Sequence, residues 1–236
     1  MKIVKKSISN HACSMPETWI RRCILLSIIP AVLGQSNEVI SPPYEPLIER
    51  GLQMDLWARE PLLINPVALS FDEQGRLYVV ETARRGTVDI DIRAHKGWVK
   101  DDLGSVSIPH QIELFRKWMA PDKSRENRSW LQDRNEDGSH DWRDLTMVKE
   151  RVHLIEDTDG DGVADQSRVF AEGFNKENNG AAAGVMPFAD HVYYTVYPDI
   201  WRLEDTDGDG VSDRNTSMFR GFGVHAAYDG HDIHGL

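Results

Sequence analysis

Cysteine is nearly missing from these 236 residues: the two present, Cys13 and Cys23, both fall within the first 34. A chain that sheds that segment keeps none, which excludes disulfides, thiol catalysis and cysteine-bound metals from the folded part. Long apolar runs are missing too. The longest, residues 23–33, is far short of the roughly 20 residues that a bilayer crossing needs. It follows Lys2, Lys5, Lys6, Arg21 and Arg22 and leads to Gly34, which is the layout of a secretory signal with a long basic region; a short buried helix or an uncleaved anchor is the alternative. Basic charge is scarce in what remains. Without residues 1–34 there are 22 Lys plus Arg against 37 Asp plus Glu, a net of −15, which argues against nucleic acid or anionic lipid as a partner.

What the chain has in abundance is one acidic pattern. Glu156-Asp157-Thr158-Asp159-Gly160-Asp161-Gly162-Val163 returns as Glu204-Asp205-Thr206-Asp207-Gly208-Asp209-Gly210-Val211, with a period of 48 residues. The likeness continues past the turn, where Arg168-Val169-Phe170-Ala171-Glu172-Gly173-Phe174 is answered by Ser217-Met218-Phe219-Arg220-Gly221-Phe222. A repeat of this length is a supersecondary unit used more than once, and propeller blades fall in the range of about 40–50 residues.

The pattern has calcium chemistry in it. Asp157, Asp159, Asp161, Val163 through its carbonyl, and Asp165 stand at positions 1, 3, 5, 7 and 9 of a calcium loop, with Gly162 at the sharp turn. Asp205, Asp207, Asp209, Val211 and Asp213 repeat the set. An earlier stretch, Asp133, Asn135, Asp137, Ser139 and Asp141, fits the same template, with Asp144 at position 12. Oxygens two residues apart on a tightly turning backbone can converge on one hard cation. The helix-loop-helix form of this site has a bidentate Glu at position 12, where the later loops carry Arg168 and Thr216, and the flanks read as strands of a hairpin. The alternative is that Asp and Gly are simply common turn formers.

Residues 65–81 read as two strands joined by a turn at residues 72–75, and residues 184–196 have a similar shape. Between about 84 and 132 the pattern is helical: Ile112, Phe115, Trp118 and Met119 recur at helical spacing, and Pro121 stops the helix. Trp98, Trp118, Trp130 and Trp142 can offer stacking faces to a sugar or can be core. The organisation that follows is a signal at 1–34, a join and first strand at 35–60, and at 61–236 an all-β, incomplete β-propeller of two to three blades with a helical insertion. Closed propellers have four or more blades, so a longer protein is expected.

Residues 92–99, 137–144, 203–210 and 230–236 together resemble the N-terminal propeller of the membrane-bound dehydrogenase family of planctomycetes and verrucomicrobia. That family is similar to the six-bladed quinoprotein glucose/sorbosone dehydrogenases. The resemblance implies an exported, calcium-binding oxidoreductase in the periplasm or cell envelope, acting on a sugar or alcohol with pyrroloquinoline quinone. It places His231 as general base, with His234 as second candidate, and makes a haem c domain the electron acceptor. No Cys-x-x-Cys-His occurs here, so such a haem would lie outside this chain. A non-catalytic exported propeller that binds protein or glycan, with structural calcium, is the other expectation.

Overall fold

A computed structural model describes residues 3–8, 52–226, 233 and 235–236. The chain forms two compact units, residues 4–55 and residues 1–3 with 56–236. Strands β1 (Ile3–Ile8) and β2 (Leu52–Ala58) make a two-stranded sheet. The rest of the expected signal region lies outside the described residues. No helix among the described residues is long and apolar enough to cross a membrane.

The fold is mainly β. Two four-stranded antiparallel sheets each follow chain order, β3 (Pro66–Phe71), β4 (Leu77–Glu81), β5 (Glu150–Glu156) and β6 (Gln166–Gly173), then β7 (Ala182–Phe188), β8 (His191–Val196), β9 (Asp199–Glu204) and β10 (Arg214–Arg220). Each expected hairpin is present. The β3–β4 turn forms because the Asp72 carboxylate accepts from the Gln74 and Arg76 amides, at 3.0 and 2.9 Å, while Gly75 takes φ +82°.

Alternation divides the first sheet between two cores, since successive residues of a strand point to opposite faces. Tyr78, Val80, Val152, Leu154 and Phe170 meet Val185, Val192, Tyr194, Val196 and Leu203 of the second sheet. Leu77, Val79 and Ile155 point the other way, onto Trp57, Ala58, Leu63 and Ala164. Both faces of β4 are therefore buried. In the second sheet β7 is the strand that approaches β3 and β4, so the sheets stack face to face.

Every helix among the described residues lies between β4 and β5. The longest, α2 after the short α1 (Val99–Leu103), spans Ile108–Trp118; Ser107 caps it by accepting from the His110 amide, and it ends at Met119, two residues before Pro121. A short α3 (Ser124–Asn127) follows. Its buried face differs from the expected one: Ile112 is only half-buried, while Gln111 and Leu114 are buried. Gln111 can be inside because its amide donates to the Tyr197 hydroxyl at 2.9 Å and the His225 carbonyl at 3.0 Å. Trp98, Trp118 and Trp130 cluster with His95, and Trp142 lies under the Arg116 guanidinium. Trp98 is buried, so this set is chiefly insertion core.

One side chain ties the insertion to the sheets. Arg84 is fully buried, and its guanidinium donates to the carbonyls of Leu145 and Val148, both 2.7 Å, Asn179, 3.1 Å, and Lys176, 3.3 Å. Its own amide donates at 2.8 Å to Glu150, whose carboxylate also accepts from Thr82. Burial pushes the Glu150 carboxyl pKa up, against the pull of these donors and of Arg84.

Candidate metal centres

All three acidic turns are built alike. The carboxylate at position 1 accepts from the glycine amide at position 6, and the distance is 2.9 Å in each case: Asp133 from Gly138, Asp157 from Gly162, Asp205 from Gly210. Position 3 accepts from the amide of position 5 in Asn135, Asp159 and Asp207, at 3.1–3.2 Å. Position 5 accepts from position 7 at 2.8 Å in Asp137, Asp161 and Asp209. Asp157 and Asp205 also accept at their other oxygen, from the Gly160 and Gly208 amides at 2.8 and 2.7 Å, and these bonds orient the side chains and turn the backbone tightly, with φ positive at Gly138, Gly162 and Gly210.

The consequence is convergence. Asp157, Asp159 and Asp161 each bring one carboxylate oxygen to within 4.8 Å of the others, and Asp205, Asp207 and Asp209 do the same. A set of three hard oxygens at this spacing can hold a divalent cation such as calcium. Asp165 and Asp213 stand outside these triads. Each accepts instead from the amide and hydroxyl of the residue at position 2, Thr158 or Thr206, and those bonds hold the Asp213 carboxyl below its ordinary pKa.

In the third turn, Asn135 replaces one carboxylate. Asp133 Oδ1 is buried without a hydrogen-bond partner, which fits a site with room for one more electropositive group, while the Ser139 hydroxyl is engaged by Asp141. Asp141 and Asp144 serve the fold here. They form a reciprocal cap over residues 141–144, Asp144 accepts from the Arg134 and Asn135 amides, and Arg143 grips Asp141 at 2.6 Å. Burial raises the Asp141 pKa, but the Arg143 hydrogen bonds and charge outweigh it and hold the carboxyl at about 2.

Position 12 proves informative for a reason that spacing alone does not show. Arg168, at position 12 of the turn that starts at Asp157, donates to the Asp209 carbonyl of the next turn at 2.6 Å and pairs with Glu156 at 3.2 Å. Its chain lies so close to Gly210 that a Cβ there would meet Arg168 Cδ at 2.8 Å. The residue that removes a ligand from one turn thus clamps its successor.

The turns that start at Asp157 and Asp205 also dock on a strand from earlier in the chain, β2 and β6 respectively. The Ala164 amide donates to the Trp57 carbonyl of β2, and the equivalent Ser212 amide, 48 residues on, donates to the Phe170 carbonyl of β6; both distances are 2.7 Å. Equivalent grooves flank the two contacts, ≈ 470 Å³ along Trp57, Ala58, Val163 and Ala164, and ≈ 580 Å³ along Phe170, Ala171, Val211 and Ser212. His231 and His234 lie outside the described residues. The described tail histidine, His225, is held by Asp102: its Nδ1 is 2.8 Å from the Asp102 carbonyl oxygen.

No curated protein and no solved structure matches the chain. The model of a domain of unknown function, DUF7133, matches residues 47–234. That span covers both sheets, the insertion and all three acidic turns, and the chain belongs to the DUF7133 family.

Proposed function

We propose that this chain is a calcium-binding segment of a β-propeller, with two blades formed by the two sheets. The observation that carries the reading is the pair of three-carboxylate turns, 48 residues apart, each at the end of a blade hairpin and each docked on the preceding outer strand. The chain-order sheets with stacked faces support the propeller. Calcium also supplies a staple that a cysteine-free fold otherwise lacks. With no Glu at position 12 in the two later turns, dissociation constants fall in the weaker, extracellular range of roughly 10⁻⁴–10⁻³ M. Isothermal titration should show saturable calcium binding at two or three sites, and a chelator should lower the melting temperature reversibly. A flat titration refutes the reading.

Within that frame, the resemblance to quinoprotein dehydrogenases supports an exported oxidoreductase of sugars or alcohols, with pyrroloquinoline quinone as cofactor and His231 as base. The test is dye-linked turnover by the full-length protein over a panel of aldoses and alcohols, with quinone and calcium added. Turnover lost in His231→Ala and kept in His234→Ala supports the role, and equal turnover in wild type and His231→Ala removes it. If wild type shows no turnover, the non-catalytic reading stands in its place.

A further inference from the structure

The two junctions described above share a set of outer-strand positions. In β6, Phe170 is the extra residue of a bulge, because Val152 pairs with Ala171 and His153 with Val169. In β10 the bulge falls at Met218, since Ile200 pairs with Phe219 and Trp201 with Ser217. The 48-residue period therefore holds residue by residue: Phe170 corresponds to Met218, Ala171 to Phe219 and Phe174 to Phe222. The shared carbonyl contact adds Trp57 and Ala58 of β2 to the first two positions.

Burial separates the third strand from the others. Trp57 and Phe170 are each 2% exposed, and Met218 is 39%. Ala58 and Ala171 are 1% and 5% exposed, and Phe219 is 61%. Phe174 meets the rings of Tyr194 and Trp201 edge-on at 4.9 and 5.1 Å, whereas Phe222 is half exposed. So all three positions on and just after β10 are apolar like their counterparts in the earlier repeat, Phe219 is larger than the Ala171 it answers, and among the described residues all three remain exposed. A contiguous exposed apolar strip of this kind marks an interaction surface.

We infer that Met218, Phe219 and Phe222 form the docking face for a further 48-residue repeat of the same polypeptide, headed by its own acidic turn. The residue at position 8 of that turn donates its amide to the Met218 carbonyl, as Ala164 does to Trp57 and Ser212 to Phe170. Both junctions in the structure join a strand to the repeat that follows it in the chain, which makes the occupant of β10 a chain neighbour. A second copy of this chain does not fit. Its Ala164 and Ser212 amides are already bonded, and the corresponding amide of the third turn, His140, donates to Ser124 Oγ at 2.8 Å.

The inference rests on the repeat reading and not on the ion. Its test is a photoreactive benzoylphenylalanine at position 219, an exposed site, in the protein made by its native host. After irradiation and digestion, mass spectrometry should find position 219 joined to a peptide from beyond residue 236 that carries an acidic Asp-x-Asp-Gly-Asp-Gly turn, with no increase in the mass of the intact chain. A product joined only within residues 1–236, a product joined to a separate polypeptide, or no product overturns it. Because calcium titration reports on the ion alone, a flat titration with the expected crosslink, or the reverse, shows which of the two readings has failed.

Discussion

Asp207→Asn separates the structural and ion-binding parts of an acidic turn. Three carboxylate oxygens lie within 4.8 Å of one another at Asp205, Asp207 and Asp209. Without a cation, each of the three pairs costs about 0.9 kcal/mol in water at that separation. Salt near physiological strength roughly halves this, leaving about 1.4 kcal/mol for the turn. Asp207 takes part in two of the three pairs, so its neutralisation relieves about 0.9 kcal/mol of that. The amide should keep the turn intact, because the bond needed is Asp207 Oδ1 accepting from the Asp209 amide at 3.2 Å. Asn135 makes that same bond at 3.1 Å in the third turn. At about 2–4 °C per kcal/mol for a chain of this size, the variant in chelator should melt roughly 2–4 °C above wild type. In excess calcium the order should narrow or invert, because the weaker site contributes less binding energy. Differential scanning calorimetry in chelator and in 10⁻² M calcium, on the order of ten times the expected dissociation constant, reads both arms. A variant that melts below wild type in chelator, or that gains as much from calcium as wild type, refutes the reasoning.

Arg84→Met should cost more than about 4 kcal/mol, since it strands four carbonyls that a buried charged donor now satisfies; hydrogen exchange should show protection lost at residues 145–148 and 176–179 ahead of the β4–β5 pairing. In residues 1–236 alone, with β10 uncovered, Phe170→Ala should cost about 3–5 kcal/mol and the equivalent Met218→Ala less than about 0.5, as judged by urea melts; equal losses there would contradict the burial contrast between the strands. Asp141 binds its proton less readily folded than unfolded, so the stability it contributes is whole above its ordinary pKa of 3.8 and is lost as the pH falls from there towards about 2. Asp141→Asn should remove on the order of 1 kcal/mol of that acid sensitivity, a figure discounted because Arg143 is 42% exposed, and melting curves between pH 2 and 5 should run flatter for the variant.

The sheets and turns were legible in the sequence because their signals are local. Alternating strands, Asp-Gly turns and a helix stopped by Pro121 each follow from a few adjacent residues. Long-range roles were not. Nothing in the Thr82–Gly86 segment distinguishes Arg84, the hub of the insertion, from its exposed neighbour Arg85, because its partners lie more than 60 residues away. The kinship of β2 with β6 and β10 is hidden too, since Trp57-Ala58 precedes a different turn and shows itself only through the Ala164 bond. In the third turn, spacing nominates Asp141 and Asp144 as ligands, whereas the reciprocal cap and Arg143 engage both in holding residues 134–144 together.

The Arg168 clamp bears on how the structure comes apart. With one guanidinium fixed to Glu156 on its own sheet and to Asp209 on the next, the melting of one repeat withdraws a restraint from its neighbour. Stability then behaves like a row of coupled spins, with nearest-neighbour terms as well as intrinsic ones. In such a row the members at the ends fray first, and a defect placed in the middle is more damaging than the same defect at an edge.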